Sequence, residues 1–585
     1  MKEVWNLNEL VNKKPENILE EIKKDVESFI RYKSIIHKNN KDIIDTVFKI
    51  ILLKEKMYEK LMLLNGYYSL RFYENTKDEE ASAKISMLKQ LGTEINNKTL
   101  FFSHWIMKLD EKTYKKIINS EKLKSFKHYF EKTRNLKKHT LSEDKEQIIN
   151  LKNIASSGFF DIYEHITSSF TFDFEGKKIT EEELKTKCRS PDPEVREKAY
   201  ILLLSKYESH KSELTEIYRN IVLDWYNEDI LIRKYKRPIS SRNISNDLKD
   251  KTIDSLINVI KKNNHVFQEY FKVKHEIINN KLPKNKRYEF SRFHLYAPYV
   301  FKSKKYSYEF SKKYVLQKFK DFDKRFYDAA NLIFKNKHIH SHPQKNKRSG
   351  AFCSLITNKH LPYIMLNHTD DIRDLFTMAH ELGHGIHDVL SMNQPNLLQH
   401  APLPLCETAS IFSEMILADD ILKKSDNIEE KKYVLMNLLD NQYASITRQA
   451  YFVIFEIYAH DNMHKGITIK DLDDMYLKLL KEQFGNMKIP EIFKNEWNYI
   501  PHIHEYPFYC YSYAFGNLMV LSLYEIYRRE GKKFVDKYVN ILSKGGSQNP
   551  EEMFLGIGID ITSEDFWQKG FEIIKEEVKK LKNMN

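Results

Sequence analysis

Helical periodicity in the amino-terminal half of the chain constrains its fold more than any other sequence feature. Between Asn17 and about Tyr270, apolar residues recur at spacings of three and four among Lys and Glu, for example in ENILEEIKKDVESFIRYKSIIHK. Such spacing gives an α-helix one apolar face that packs on a neighbouring helix. Glycine and proline, which mark the turns between short strands, number only 16 and 15 among 585 residues. The sequence therefore predicts a mainly α-helical protein built from long amphipathic helices.

A segment near residue 175 interrupts this periodicity. It reads SSFTFDFEGKKITEEEL, in which alternating apolar residues are followed by Thr180 and, three residues later, by Glu183. The alternation predicts a strand, and the Thr-Glu spacing is typical of the capping box at the start of a helix. We expect a further helix to be opened by Ser190 and Pro191, since proline is favoured in the first helical turn.

Two short runs of strand-forming residues lie between Arg348 and Asn367, in RSGAFCSLITNKHLPYIMLN. Polar turn residues separate the two runs, so we expect a β-hairpin or an edge strand. This small β-structure directly precedes the region with the most informative motifs.

Charge and hydropathy exclude several classes of protein. The net charge of +13 raises the alternative of a nucleic-acid partner, but the lysines are spread over the whole chain and outnumber the arginines, which are the better base readers. No stretch approaches the ~18 uninterrupted apolar residues of a membrane span, and the first residues lack the apolar segment of a signal peptide. We therefore expect a cytoplasmic protein without a membrane or nucleic-acid partner, whose four widely spaced cysteines are reduced.

The segment DDIRDLFTMAHELGHGIHDVLS contains the motif HELGH. On a helix, His380 and His384 lie on one face about a turn apart, where a tetrahedral metal ion can bind both imidazoles. Glu381 is rotated by roughly 100° from His380, a position that suits a base acting on water beside the metal. Chance predicts about 0.1 such motifs in a chain of this composition, so hydrogen-bonded surface histidines remain an alternative on the motif alone.

A third ligand is needed, because a catalytic zinc usually takes three protein ligands and leaves one position for water. A histidine ten residues after the first is absent, since that position is Leu390. Downstream, LCETASIFSEMILADDIL places Glu407 and Glu414 seven residues apart, on one stripe of an otherwise apolar helix. Glu407 could bind the metal while Glu414 accepts the N–H of a ligating histidine. We expect His387 to be a supporting or core histidine.

The order of these motifs resembles the oligoendopeptidase F branch of the thimet oligopeptidase family of zinc metallopeptidases. Six segments occur in the family's order over roughly residues 340–570: RSGAF, PYIMLN, DLFTMAHELGHGIH, ETAS, IPHIHEYPFYCYSYAFG and LSKGGSQNPEEMFLGIGID. Weaker likeness, in WNLNEL, RNISNDL and LYAPY, extends over nearly the whole chain. The resemblance implies a large, mostly helical, ellipsoidal peptidase with a deep central channel, a zincin-like catalytic core and a small β-sheet near the HELGH helix.

The resemblance also assigns roles to regions and residues. The interruptions of helical periodicity place a loose boundary near residue 190, with no flexible linker to mark it. With this boundary, the resemblance implies an amino-terminal helical region over residues 1–190, which includes the oligopeptidase-type amino-terminal segment, and a zinc metallopeptidase region over residues 191–585. The resemblance also implies one zinc ion per chain with Glu407 as the third ligand. This agrees with the position of Glu407 on one helical stripe with Glu414.

A cluster of histidines and tyrosines follows in IPHIHEYPFYCYSYAFG. Peptide hydrolysis creates an oxyanion that needs hydrogen-bond donors, and the resemblance carries this role to His502 and Tyr509. His504 remains an alternative to His502, because it lies only two residues away. For Tyr511 and Tyr513, packing in an aromatic core is an equal alternative.

The resulting hypothesis is a zinc-dependent endopeptidase that hydrolyses internal bonds of short, unstructured oligopeptides. Glu381 would act as the general base, and Tyr509 and His502 would stabilise the oxyanion. One alternative is an exopeptidase of the dipeptidyl carboxypeptidase type, which needs a cationic group for the terminal carboxylate that the sequence does not identify. A second alternative is a basic nucleic-acid-binding protein with a vestigial site, which an intact HELGH motif with a matching Glu407 disfavours.

Overall fold

The protein is described by a computed structural model that covers residues 2–11, 13–36, 42–156, 158–302 and 304–584. Helices dominate the first half of these residues, as predicted. The elements of this half are α1 (Pro15–Ile35), α2 (Ile43–Glu74), α3 (Glu79–Lys108), α4 (Glu111–Ile118), α5 (Lys127–Asn135), α6 (Glu143–Ser156), α7 (Gly158–Ser168), β1 (Thr171–Phe174), β2 (Lys177–Thr180), α8 (Glu181–Lys187), α9 (Pro193–Ser209), α10 (Lys211–Trp225), α11 (Pro238–Ser245), α12 (Asp250–Lys262) and α13 (Asn264–Lys281).

The second half is also helical and adds one small sheet. Its elements are α14 (Tyr308–Phe322), α15 (Lys324–Lys335), β3 (Ile339–His340), β4 (Phe352–Ser354), β5 (Tyr363–Met365), α16 (Ile372–Leu390), α17 (Asn396–Gln399), α18 (Thr408–Lys424), α19 (Ile428–Ser445), α20 (Thr447–Asn462), α21 (Ile469–Phe484), α22 (Pro501–Glu505), α23 (Tyr511–Glu530), α24 (Lys532–Ser543), α25 (Pro550–Leu555) and α26 (Glu564–Asn583). The predicted fold class, mainly α with a small sheet before the HELGH helix, is therefore confirmed.

The chain forms two compact units, each assembled from separate stretches of sequence. The first unit comprises Met1–Gln147, Ser303–Asp420 and Tyr527–Gly558. The second unit comprises Ile148–Lys302, Ile421–Ile526 and Ile559–Asn585. The sequence boundary near residue 190 stays a prediction about the two regions of the family.

Helices α1, α2 and α3 pack on one another in the first unit. Their apolar faces share a core in which Phe29 and Phe102 are fully buried, with perpendicular rings whose centroids lie 6.0 Å apart. This contact follows directly from the three- and four-residue spacing in the sequence, because each helix must bury its apolar face against another.

The predicted hairpin between Arg348 and Asn367 is confirmed and belongs to a three-stranded sheet in the first unit. Strand β5 is central, antiparallel to β4 and parallel to β3. Near the chain's start, Trp5 packs edge-on against Tyr363, with ring centroids 6.0 Å apart. Helix α16 contacts β4 and β5 and also α14 and α15, so the HELGH helix is held between the sheet and two helices.

The predicted strand and capping box are also confirmed, in the second unit. Strands β1 and β2 pair in antiparallel register. Thr180 Oγ1 accepts the N–H of Glu183 at 3.3 Å, and a carboxylate oxygen of Glu183 accepts the N–H of Thr180 at 2.8 Å. The predicted opening of a helix by Ser190 and Pro191 is wrong by two residues. Helix α9 begins at Pro193, because the carboxylate of Asp192 caps it by accepting the N–H of Glu194.

Two further expectations concern the environment of the protein. All four cysteines are free thiols, as expected for reduced residues. Within the residues that the structure covers, no helix has both the length and the apolar character that crossing a membrane requires.

Candidate active site

Helix α16 carries the HELGH motif and has a well-defined start. Asp371 caps it by accepting the N–H of Arg373 at 2.9 Å, and a carboxylate oxygen of Asp374 accepts the N–H of Asp371 at 3.0 Å. Ile372 and Leu375 are buried, as the helical spacing predicts. The apolar face therefore fixes the rotation of the helix about its axis.

His380 and His384 lie beside Glu407, the residue that directly precedes α18. The two Nε2 atoms are 3.2 Å apart, and each is 3.4 Å from Oε2 of Glu407. Donor atoms that surround a tetrahedral zinc at ~2.0–2.1 Å are separated from one another by roughly 3.3 Å. Among the described residues, these three form the only group of His, Cys, Asp or Glu side chains close enough together to hold a metal ion. The group matches the spacing and the donor types of a zinc site.

A glycine allows the two helices to approach this closely. A Cβ atom at Gly383 would lie 2.6 Å from both the carbonyl oxygen of Ala409 and the Cα of Ser410. Any larger residue would push α16 away from the start of α18 and separate His384 from Glu407. The sequence alone did not predict this role of Gly383, although the glycine is part of the HELGH motif.

Two neighbouring side chains orient the cluster formed by His380, His384 and Glu407. Oε1 of Glu414 lies 2.5 Å from Nδ1 of His380, so Nδ1 donates its proton to this carboxylate and Nε2 is the ring nitrogen beside His384 and Glu407. Ser410 donates its hydroxyl to Oε2 of Glu407 at 2.7 Å. The contact of Glu414 with a histidine was predicted from the sequence, but the role of Ser410 was not. Its position in the ETAS motif, three residues after Glu407, was the available signal.

Charges within the cluster shift its pKa values. Although burial opposes ionisation of Glu407, the hydrogen bond and charge of His384 lower the pKa of Glu407 to about 2. Burial likewise opposes the charged form of His380, but the carboxylate of Glu414 raises the pKa of His380 to about 9. The carboxyl group of Glu381 is buried, and this burial raises its pKa, against the influence of His380 and His384. Glu381 is thus a stronger base than an exposed glutamate.

His387 is separate from the cluster. It is buried, and burial lowers its pKa to about 4. It is absent from the three-residue group of possible ligands, as the sequence analysis expected.

The predicted oxyanion donors lie in the second unit, where they form an aromatic cluster with Tyr513. The ring of His502 is nearly parallel to that of Tyr509, with centroids 6.3 Å apart, and perpendicular to that of Tyr513 at 5.9 Å. Tyr509 and Tyr513 pack edge to face at 5.2 Å. His502 also lines a cavity of about 820 Å³ within this unit. The structure therefore brings His502 and Tyr509 together and adds Tyr513.

A strained residue sets the position of Tyr509. Phe508 has a φ of 60°, a left-handed conformation that an aromatic residue rarely adopts. Its N–H donates to Oε1 of the fully buried Glu456 at 2.7 Å, and Nε of Arg242 donates to the carbonyl of Pro507 at 3.0 Å. These two hydrogen bonds fix the turn that precedes Tyr509. No local sequence pattern predicted them.

Two other members of the sequence cluster are core residues. His504 is 1% exposed, stacks on Tyr163 with centroids 4.1 Å apart, and lies with Nδ1 3.0 Å from the carbonyl of Ile500. Tyr511 is fully buried, and its hydroxyl accepts a hydrogen bond from Asn246 at 2.7 Å. Of the two histidines, His502 is therefore the more accessible.

Comparisons with known proteins agree with this arrangement of elements and motifs. Residues 187–573 match the model of peptidase family M3, and residues 105–172 match the model of the amino-terminal segment named Oligopeptidase F. The chain is 28% identical to an oligoendopeptidase F homolog of Borreliella burgdorferi over 94% of this chain and 97% of that protein. It is 25% identical to the oligopeptidase PepF of Bacillus subtilis over 93% of this chain and 82% of that protein.

Solved structures share the fold. A crystal structure from Chlamydophila abortus covers 99% of this chain and 98% of its own, with a TM-score of 0.86 at 24% identity. The structure of oligoendopeptidase F from Enterococcus faecium covers 97% of this chain and 99% of its own, with a TM-score of 0.72 at 18% identity. The similarity of fold extends over both units of the chain.

Proposed function

Because this chain belongs to peptidase family M3 and is a metalloendopeptidase related to oligoendopeptidase F, we propose that it hydrolyses internal peptide bonds of short, unstructured oligopeptides with one zinc ion per chain. The observation that carries this proposal is the grouping of His380, His384 and Glu407, whose donor atoms all lie within 4.8 Å of one another. The family is one of zinc metallopeptidases, so the donor set and the family agree.

We propose His380, His384 and Glu407 as the three protein ligands. Two imidazole nitrogens and one carboxylate oxygen are a usual donor set of catalytic zinc, and they leave one position for water or substrate. The carboxylate of Glu414 and the hydroxyl of Ser410 support this assignment, because partners of this kind fix the orientation of metal ligands.

The chemistry divides between the metal and the protein. Zinc, when bound, acidifies a coordinated water and polarises the scissile carbonyl. Glu381 takes a proton from the attacking water onto its carboxylate and then gives it to the nitrogen of the leaving amine. The raised pKa of Glu381, which burial causes, favours both transfers, since a general base works best when its pKa is close to the working pH.

Tyr509 and His502 are proposed to donate hydrogen bonds to the oxyanion. A tyrosine O–H and an imidazole N–H are suitable donors, and each stabilises the oxyanion most strongly where water is excluded. Support comes from the shared aromatic cluster of the two side chains and from the resemblance of their sequence segment to the family.

The proposed regions of the chain follow the family models. An amino-terminal region over residues 1–190 and a catalytic region over residues 191–585 agree with the two matches, which end at residue 172 and begin at residue 187.

Cleavage mapping tests the function. Purified protein is incubated with a mixed peptide library, and the products are identified by mass spectrometry in the presence of 1,10-phenanthroline or of its non-chelating 1,7 isomer. We expect cuts at internal bonds that only the chelator abolishes and that added zinc restores. Release of dipeptides from the carboxyl terminus alone would assign the exopeptidase alternative, and intact peptides in every condition would refute a peptidase.

A further inference from the structure

The second unit contains a cavity of about 350 Å³ with a cationic lining. Four cationic side chains and two carboxylates contribute to its wall: Lys185, Arg189, Arg292, Arg448, Glu182 and Glu496. The proposed mechanism uses none of these residues.

Two of the arginines share a single carboxylate oxygen. Arg292 Nη2 lies 2.7 Å from Oε1 of Glu496, and Arg448 Nη2 lies 3.2 Å from the same atom. Arg292 is 1% exposed and Glu496 is 3% exposed, so this charge is buried. One carboxylate cannot neutralise two guanidinium groups, and a net positive charge therefore remains beside the cavity.

The other two cations differ in their pairing. Lys185 lies 2.8 Å from a carboxylate oxygen of Glu181 and 2.7 Å from one of Glu182, so its charge is compensated. Arg189 is exposed and has no carboxylate oxygen within 4.0 Å among the residues described. Its guanidinium carbon instead lies 5.4 Å from the ring centroid of Tyr296. Arg189 therefore adds a second uncompensated charge.

Buried donors in the same wall lack acceptors. Within the described parts of the chain, Nε and Nη1 of Arg292 and the hydroxyl of Tyr296 are buried and have no hydrogen-bond partner. The ring of Phe493, 4.8 Å from the guanidinium carbon, stabilises the Arg292 cation but accepts none of these hydrogen bonds. These enclosed atoms are out of reach of a molecule in the cavity, so Arg292 acts on such a molecule through its charge.

The cationic cavity adjoins the larger cavity of about 820 Å³ that His502 lines. Lys185, Arg448 and Tyr499 belong to the walls of both. A peptide that lies beside His502 in the larger cavity is thus close to the positive charge of the smaller one.

We propose that this cationic cavity binds a carboxylate of the peptide substrate through Arg189 and Arg448, with the buried charge of Arg292 behind them. The inference rests on the proposed function, because the oligopeptides assigned there carry a terminal carboxylate and can carry acidic side chains. Guanidinium groups suit this ligand, since their N–H donors match the two oxygens of a carboxylate.

Four versions of one peptide distinguish the two sources of the carboxylate. The peptide ends in a free acid or an amide, and it carries Glu or Gln at one internal position. Each version has an amino-terminal fluorescein, and its Kd for the Glu381→Gln protein is measured by fluorescence anisotropy. Loss of the recognised carboxylate should raise Kd roughly tenfold. The acid and amide pair reports on the terminus, and the Glu and Gln pair reports on the side chain.

Arginine variants test the location. Arg189 is exposed, so the protein should fold without its side chain. In an Arg189→Gln protein, the ratio of the Kd values for peptides without and with the recognised carboxylate should shrink from roughly tenfold to about twofold. An Arg448→Gln protein should behave in the same way. Arg287→Gln is the matched control, because Arg287 is exposed in the same unit and lines neither cavity. Its discrimination should equal that of the parent.

Several outcomes decide the proposal. Equal Kd values for all four peptides, or discrimination that survives both the Arg189→Gln and the Arg448→Gln substitutions, would overturn it. The wild-type protein is assayed for cleavage of the same peptides in parallel. Discrimination in binding without any cleavage would refute the proposed function while supporting the carboxylate site, so the two failures are separable.

Discussion

Glu381 is the one acidic side chain of the HELGH motif, and its surroundings suit a base. It is 7% exposed, and burial raises its pKa above that of an ordinary glutamate. His380 and His384, its neighbours in the motif, are 27% and 22% exposed at the side chain. The proposed base and two of the proposed metal ligands therefore lie in different environments on the same helix.

A Glu381→Gln substitution tests the base. Glutamine has nearly the same shape but does not accept a proton, so zinc content should remain at one ion per chain while turnover falls by at least roughly 10²–10⁴. Atomic absorption and steady-state kinetics on a quenched fluorescent peptide measure the two properties. Near-normal turnover in a fully loaded protein would rule out Glu381 as the general base.

A Tyr509→Phe substitution tests the oxyanion donor. Phenylalanine keeps the ring packing against His502 and Tyr513 but removes the hydroxyl, so the protein should fold and bind zinc normally. One oxyanion donor contributes about 2.7–4 kcal/mol, so kcat should fall roughly 10²–10³ while KM changes little.

Tyr506 supplies the matched control for this experiment. It lies on the same turn and is 52% exposed, so Tyr506→Phe should leave kcat almost unchanged. If Tyr509→Phe raises KM alone, Tyr509 holds the peptide, and the oxyanion role passes to His502 or to another tyrosine of the cluster.

At the scale of elements, the site depends on the crossing of α16 with the start of α18. His384 lies on α16 and Glu407 directly precedes α18, and their meeting requires the close backbone approach at Gly383. Helix α16 also packs against β4 and β5, which helps to fix its position. The proposed metal site therefore depends on α16, the start of α18 and the sheet.

A Gly383→Ala substitution tests this crossing. The new methyl group would meet the carbonyl of Ala409 and the Cα of Ser410 at 2.6 Å, and relief of this clash must separate the helices. Such overpacking costs typically ~1–3 kcal/mol, so we expect a lower thermal midpoint and weaker zinc binding. Calorimetry and competition with a fluorescent zinc chelator measure the two effects.

The same substitution at Gly92 is a control, for which we expect no loss of stability. A Cβ at Gly92 in α3 would meet only the side chain of Leu61 at 3.5 Å, an ordinary contact. Gly92→Ala should therefore stabilise the protein slightly, because alanine is the better helix former. A Gly383→Ala protein with unchanged zinc affinity would show that the close crossing is not required for the site.

At the scale of the whole molecule, zinc should act as a stabilising ligand. An ion that binds only the native chain stabilises it by about 4.1 kcal/mol at a thousandfold excess over its Kd. Removal of zinc by a chelator should therefore lower the thermal midpoint of the wild-type protein, as measured by calorimetry.

Two histidine variants make this prediction specific. A His384→Ala protein should lose stoichiometric zinc, and its midpoint should not respond to the chelator, because one of the three proposed ligands is gone. His265→Ala, in which an exposed histidine of α13 is removed, should behave like the wild type. Retention of one tightly bound zinc by the His384→Ala protein would refute the proposed ligand set.

The sequence by itself determined the helical class, the family and the motif residues. Helical spacing, the Thr180 capping box and the hairpin after Arg348 are local patterns, and local backbone preferences are enough to predict them. The spacing of the histidines on α16 also follows from the geometry of a single helix. The predicted start of α9 was wrong by two residues. Asp192 and Pro193 form a cap and a first helical position just after the similar pair Ser190 and Pro191, and the helix begins at the second pair.

Tertiary structure decided which of the candidate residues meet. Two contacts of the site join residues from different elements. Gly383 approaches the backbone of Ala409, and Glu456 accepts the N–H of Phe508 in the turn before Tyr509. The cationic cavity likewise draws Arg189, Arg292 and Arg448 from three distant parts of the chain. Packing brings together residues far apart in sequence, so no local pattern in the chain encodes these contacts directly.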